Sequence, residues 1–205
     1  GGVTMADGAL AQASTGEFFV FASEDILLGS VDAATRIRVE TSAGSILDNG
    51  DSAQDLITDL AFLSAETGIG TDANALESTA SQLVARTDTG DIHLVNTGDL
   101  TITTHNPDGG GDVFGVEILD TAAADPAGDN ITIDVTGDLT VNSQVTNNAA
   151  GTVSLDATVD ILVNSTVTST GGNITINSDS DQATTAGGGI DVSGAVTSNL
   201  SLIHI

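Results

Sequence analysis

Asp138-Leu-Thr-Val-Asn-Ser-Gln-Val-Thr-Asn147, Asp160-Ile-Leu-Val-Asn-Ser-Thr-Val-Thr-Ser169 and Gly189-Ile-Asp-Val-Ser-Gly-Ala-Val-Thr-Ser198 decide how this chain is read. Superposed, they put Val141, Val163 and Val192 in one column and Val145, Val167 and Val196 in another. The first step is 22 residues and the second 29. A third column, Ile131, Val153 and Ile174, steps by 22 and 21 and is expected to continue at Leu202. One such unit is too small to bury its own apolar side, whereas stacked units bury a continuous core. Each turn offers three short strands, near 131–135, 139–142 and 144–146 in the first clear copy. Glycine and Asn/Asp pairs mark the corners between them. The expected fold is all-β: a right-handed parallel β-helix, or β-solenoid, with three short strands per turn of about 22 residues and lateral loop insertions. A β-sandwich is the competing class, but near-identical motifs at a one-turn period argue against it.

Upstream the same strand pattern recurs. Asp91-Ile-His-Leu-Val95 and Asp99-Leu-Thr-Ile-Thr103 sit eight residues apart, as do the paired strands that follow residue 130. Glu17-Phe-Phe-Val-Phe-Ala22, Ile26–Leu28 and Ser45-Ile-Leu47 read as strands, and Ile37 and Val39 share a face opposite Arg36 and Arg38. Residues 51–85 are ambiguous. Leu56, Leu60 and Leu63 have helical spacing behind Ser52, and Leu76, Ala80 and Leu83 share one helical face. The expectation is a single β-helix over 1–205 with an irregular or partly helical excursion at 51–85 and insertions at 104–129 and 178–189. Val113–Leu119, inside the first insertion, is expected either to add a strand outside the stack or to form one face of it.

The composition suits a narrow repetitive interior. Hydrophobic residues reach 40%, aromatics only 2%, and all five aromatics are phenylalanine. The formal net charge of -26 comes from 29 acidic residues against three basic ones. That charge opposes binding to nucleic acid or to an anionic membrane surface and favours attraction of cations. No stretch reads as a membrane-spanning helix or a signal peptide. With no cysteine, a disulfide scaffold is excluded. The apolar alternation Ser201-Leu-Ile-His-Ile205 has no polar cap, so the chain is expected to belong to a longer protein.

Three runs carry a family resemblance. They are Gly44-Ser-Ile-Leu-Asp-Asn-Gly50, Leu60-Ala-Phe-Leu-Ser-Ala-Glu-Thr-Gly-Ile-Gly70, and the stretch from Asn74-Ala-Leu-Glu77 to Asn96-Thr-Gly-Asp-Leu-Thr-Ile102. Together they resemble a recurrent unit of large bacterial filamentous-haemagglutinin-like exoproteins and adhesins, strongly over 44–103 and loosely over 130–205. The resemblance implies a parallel β-helix, secretion to the bacterial cell surface, and service as a stalk or adhesive surface. It implies no catalytic residue.

The chemistry is therefore expected to be non-enzymatic. Asp134, Asp138, Asp156 and Asp160 are numerous enough for acid/base work, but equivalent aspartates in successive turns are equally plain corner residues. Calcium suits the acidic loops better, with Asp108, Asp112, Asp125, Asp129, Asp179 and Asp181 as candidate ligands, although solvated acidic loops explain these residues more simply and none matches a known calcium loop. His93, His105 and His204 have no zinc-ligand spacing, and His93 is expected to face solvent. The leading functional expectation is an extracellular structural or adhesive segment of a giant surface protein. Its partners would be a glycan or protein of a host or neighbouring cell. Alternatives are a filament or sheath subunit associating end to end, and a polysaccharide-processing β-helix. Specific binding is expected in the insertions rather than in the repeated turns.

Overall fold

The computed structural model of the chain describes residues 1–6, 8–50, 53–106, 113–121, 128–179, 188–199 and 203–204. Among these, every regular element is a strand and the strands form a β-solenoid. The stack is held in register by one column that crosses all of it: Val3, Ile26, Ile46, Ile69, Ile92, Ile131, Val153, Ile174 and Ile203 pair in succession, all parallel. The sequence column therefore continues at Ile203, one residue beyond the expected Leu202. A slip of one residue would have turned the pleat over.

Two further inward columns run beside it. Phe18, Ile37, Ala61, Leu83, Ile102, Val141, Val163 and Val192 form one. Val20, Val39, Leu63, Ala85, Val116, Val145, Val167 and Val196 form the other. From Ile26 to Ile176 the inward side chains make one buried cluster of Val, Ile, Leu and Ala. Small and β-branched residues suit this thin interior and favour the pleated backbone they pack in.

The irregular or partly helical excursion expected at 51–85 forms strands rather than helices where the structure describes it, from residue 53 on. It contributes the strands Leu56–Ala65 and Leu76–Thr87, which pair with each other, and Leu56–Ala65 also pairs with Ser30–Thr41. Each long strand bends round a corner and serves two faces. Beyond the bend, two consecutive residues, Asp59 and Leu60, are left outside the buried set, so the inward positions run Leu56, Thr58, Ala61, Leu63, Ala65. That phase shift is what imitated helical spacing.

The first insertion is also divided. Val116–Ile118 is a rung of the stack, paired to Leu76–Thr87 on one side and to Val145–Asn147 on the other. Thr104–His105 and Val113–Phe114 pair antiparallel outside it. Both expected roles for this stretch thus occur, separated by Gly115. At φ 63 that glycine lies where a side chain is strained, and an added Cβ would stand 1.9 Å from the Gln144 carbonyl oxygen.

Buried polar side chains close the corners. Asn96 accepts from Ser78 Oγ at 2.8 Å and the Ala80 amide at 2.9 Å. Asn147 donates to the Asp129 carbonyl at 2.7 Å and accepts from the Ala149 amide at 2.9 Å. On the outside, Asn164 donates to Asn142 at 2.9 Å, so these two form an amide stack rather than independent turns.

Ile92→Ala is expected to cost about 2–5 kcal/mol in urea unfolding, while Thr140→Ala, in the outward row, stays within about 0.5 kcal/mol. Gly115→Ala is expected to lose at least about 1–3 kcal/mol from backbone strain, with thermal unfolding as the measurement.

Candidate functional site

The chain has three basic residues, and the register gathers all of them on one outer face. Glu17, Arg36 and Leu60 stack as one outward row, Phe19, Arg38, Phe62 and Val84 as the next, and Phe21, Glu40, Ser64, Arg86 and Glu117 as a third. Arg36 donates to Glu17 at 2.7 Å and contacts His105. Arg38 donates to Glu40 at 2.5 Å, and its guanidinium lies 5.0 Å from the Phe19 ring centre and 5.6 Å from that of Phe62.

Phe62 and Val84 are buried yet stand apart from the main core. The outer strand pair explains this: the His105 ring meets Phe62 edge-on at 5.9 Å. Burial, and next the neighbouring Arg36, hold the His105 pKa below its usual value. Phe19 and Phe21 remain 56% and 60% exposed. Phe21, Glu40, Arg86, Asp88 and Thr121 line an open groove alongside. Chemically, the face offers stacking rings next to delocalised cations in a chain that is otherwise acidic.

Most corner acids have structural employment. Asp99 accepts the Asp138 amide at 3.0 Å, Asp138 accepts that of Asp160 at 3.1 Å, and Asp160 accepts that of Gly189 at 2.6 Å. Asp25 and Asp91 do the same for Ser45 and Asn130. Asp134 stacks beneath Asp156 on an outward row; burial first, then the Asp156 charge, raises its pKa, and His93 opposes the rise. His93 is more covered than expected, with Nδ1 3.2 Å from Asp72 and Nε2 3.8 Å from Asp134.

Of the six candidate calcium ligands, only Asp129 and Asp179 fall within the described residues. Asp108, Asp112, Asp125 and Asp181 lie outside the described residues. Asp129 is buried and accepts the Gly90 amide at 2.8 Å, a corner role like that of the other aspartates. Asp179 sits at φ 58, just past the strand Ile174–Asn177.

Among the described residues, one group of three metal-ligating side chains converges instead: Asp48, Asp55 and Glu77, with one oxygen from each within 4.8 Å of the others. Asp48 ends the strand Ile46–Asp48, Asp55 precedes the bent strand Leu56–Ala65, and Glu77 stands 22 residues after Asp55 on the next turn. Asp55 Oδ2 accepts the Glu77 amide at 2.9 Å, and Asp48 Oδ2 accepts the Gly50 amide at 3.0 Å. Asp55 is 1% exposed and Asp48 7%. Burial pushes the Asp55 pKa up to about 9; the Glu77 amide opposes this, while the Asp48 and Glu77 carboxylates add to it. No motif marks the triad. The legible signal was the one-turn spacing of Asp55 and Glu77 beside an irregular corner.

No family model, curated protein or solved structure matches the chain.

The raised Asp55 pKa fixes a sign. Between about pH 4 and 9 the folded chain keeps a proton that the unfolded chain has released, so raising the pH favours unfolding. In chelator, stability is expected to fall through this window, with Asp55 contributing at most about 1.4 kcal/mol per pH unit. Asp55→Asn retains an acceptor for the Glu77 amide and is expected to remove that contribution. Urea titrations at stepped pH measure it.

Proposed function

We propose that this chain is a non-enzymatic, extracellular structural or adhesive segment of a large bacterial surface protein, serving as a rigid stalk or scaffold. The observation that carries this reading is the unbroken parallel column from Val3 to Ile203. A ladder paired at every level sets length by adding turns, and its cooperative core resists bending. The corner acids supply amide acceptors that hold adjacent turns, while the net charge of -26 keeps copies apart in solution. The resemblance over residues 44–103 points the same way. Within this reading, contact with a glycan or protein of another cell falls on the outer face of Phe19, Phe21 and the three arginines, the surface whose chemistry differs most from the acidic remainder.

Two measurements test the proposal. Light scattering and electron microscopy of the chain at micromolar concentration should give rod-shaped monomers; regular end-to-end filaments would instead favour a self-assembling sheath subunit. Adhesion to cells or to a glycan array should fall at least tenfold in the double variant Phe19→Ser/Phe21→Ser with an unchanged melting temperature. Undiminished adhesion would move the contact elsewhere, and release of products from a bound glycan would contradict the non-enzymatic reading.

A further inference from the structure

We propose that Asp48, Asp55 and Glu77 form a binding site for one calcium ion, which ties two successive turns of the solenoid together at an irregular corner. The distances fit. Two oxygens on one calcium, each at about 2.3–2.6 Å, stand no more than about 5 Å apart, and the three carboxylates lie within 4.8 Å of one another. The donors fit as well, because the set is all carboxylate, with neither thiolate nor imidazole, and hard oxygen ligands select calcium over zinc or copper.

A second observation points into the same place. Asp48 is more than nine-tenths buried, its carboxylate faces the other two, and its Oδ1 has no hydrogen-bond partner. A buried carboxylate oxygen without a donor is costly, and a cation removes that cost. Among the described residues, the side-chain charges that act on Asp55 are those of Asp48 and Glu77, and Arg36 and Arg38 are engaged on the outer face.

The contrast with the other corners is instructive. At Asp25, Asp91, Asp99, Asp138 and Asp160 a single carboxylate accepts one amide of the neighbouring turn, and the local need is met. Here one carboxylate would serve that purpose: Asp55 already accepts the Glu77 amide, while the Asp55 amide donates to the Glu77 carbonyl at 2.9 Å. Asp48, which accepts the Gly50 amide of its own turn, and Glu77 place two further carboxylates at the same corner. Backbone pairing on both turns fixes the main chain of all three residues before any ion arrives, which lowers the ordering entropy that opposes binding.

The test uses the whole chain stripped with EDTA and titrated calorimetrically with calcium chloride, alongside thermal unfolding with calcium or with chelator. The variants are Asp48→Asn, Glu77→Gln and, as a control, Asp72→Asn, whose carboxylate is 77% exposed. The wild-type chain is expected to bind one calcium saturably and to melt higher with calcium than with chelator. Asp48→Asn and Glu77→Gln should each weaken binding at least tenfold, and Asp72→Asn should leave it unchanged. In chelator the first two variants should melt no lower than the wild type, since each removes a carboxylate charge from a crowded, buried cluster. The proposal is overturned by absence of saturable binding, by wild-type affinity in both site variants, or by site variants that melt well below the wild type in chelator.

Discussion

Parallel pairing of equivalent inward residues, one turn above another, is the constraint that organises everything else in this protein. Each Ile or Val of the column from Ile26 to Ile174 has its backbone fixed by the pairing above and below. Side-chain direction alternates along a strand, so this fixes the interior of the whole turn at once. The sequence step between levels varies from 20 residues, Ile26 to Ile46, to 39, Ile92 to Ile131, yet the pairing persists. Surplus residues must therefore leave the stack at corners. The outer strand pair Thr104–His105 and Val113–Phe114 is one such exit, and Gly115 returns the chain to the next rung.

The same constraint distributes charge. Carboxylates cannot enter the apolar columns, so they collect at corners and on outward rows. Most corner aspartates accept an amide from the neighbouring turn and become part of the ladder. Stacking also concentrates what is rare: Arg36 and Arg38 share one strand and Arg86 lies two turns further on, so register alone makes them one face with Phe19, Phe21 and Phe62. It likewise brings Asp55 and Glu77 together across one turn, with Asp48 beside them. Both special places lie in the irregular half of the solenoid, whereas the regular turns after residue 130 read as scaffold.

How much could be read from the sequence depended on how strictly a segment kept the period. After residue 130 the valine columns are literal repeats, and the structure pairs Val141 with Val163 and Val163 with Val192 as the spacing requires. Before residue 90 the strands are long and bent. The outward pair at Asp59 and Leu60 shifts the two-residue alternation and leaves Leu56, Leu60 and Leu63 at a helix-like spacing. The triad was obscured for another reason: its members come from two turns and three strand ends, so no contiguous motif exists. The arginine face was half visible, since Arg36 and Arg38 clearly opposed Ile37 and Val39. Its partners Phe62 and His105 depended on pairing partners and on an outer strand pair that period alone does not reveal.

Spin-label distances along the outward row beside the main column test the register most directly. Leu47, Thr132 and Thr175 occupy that row, with Thr132 three levels and Thr175 five levels from Leu47. With labels at Leu47–Thr132 and at Leu47–Thr175, the second distance should exceed the first by about 10 Å, two strand spacings of about 4.8 Å each. The long insertion before Thr132 should add no more than one level. Distances that instead follow sequence separation, or an increment far from two spacings, would contradict the solenoid register on which the account rests.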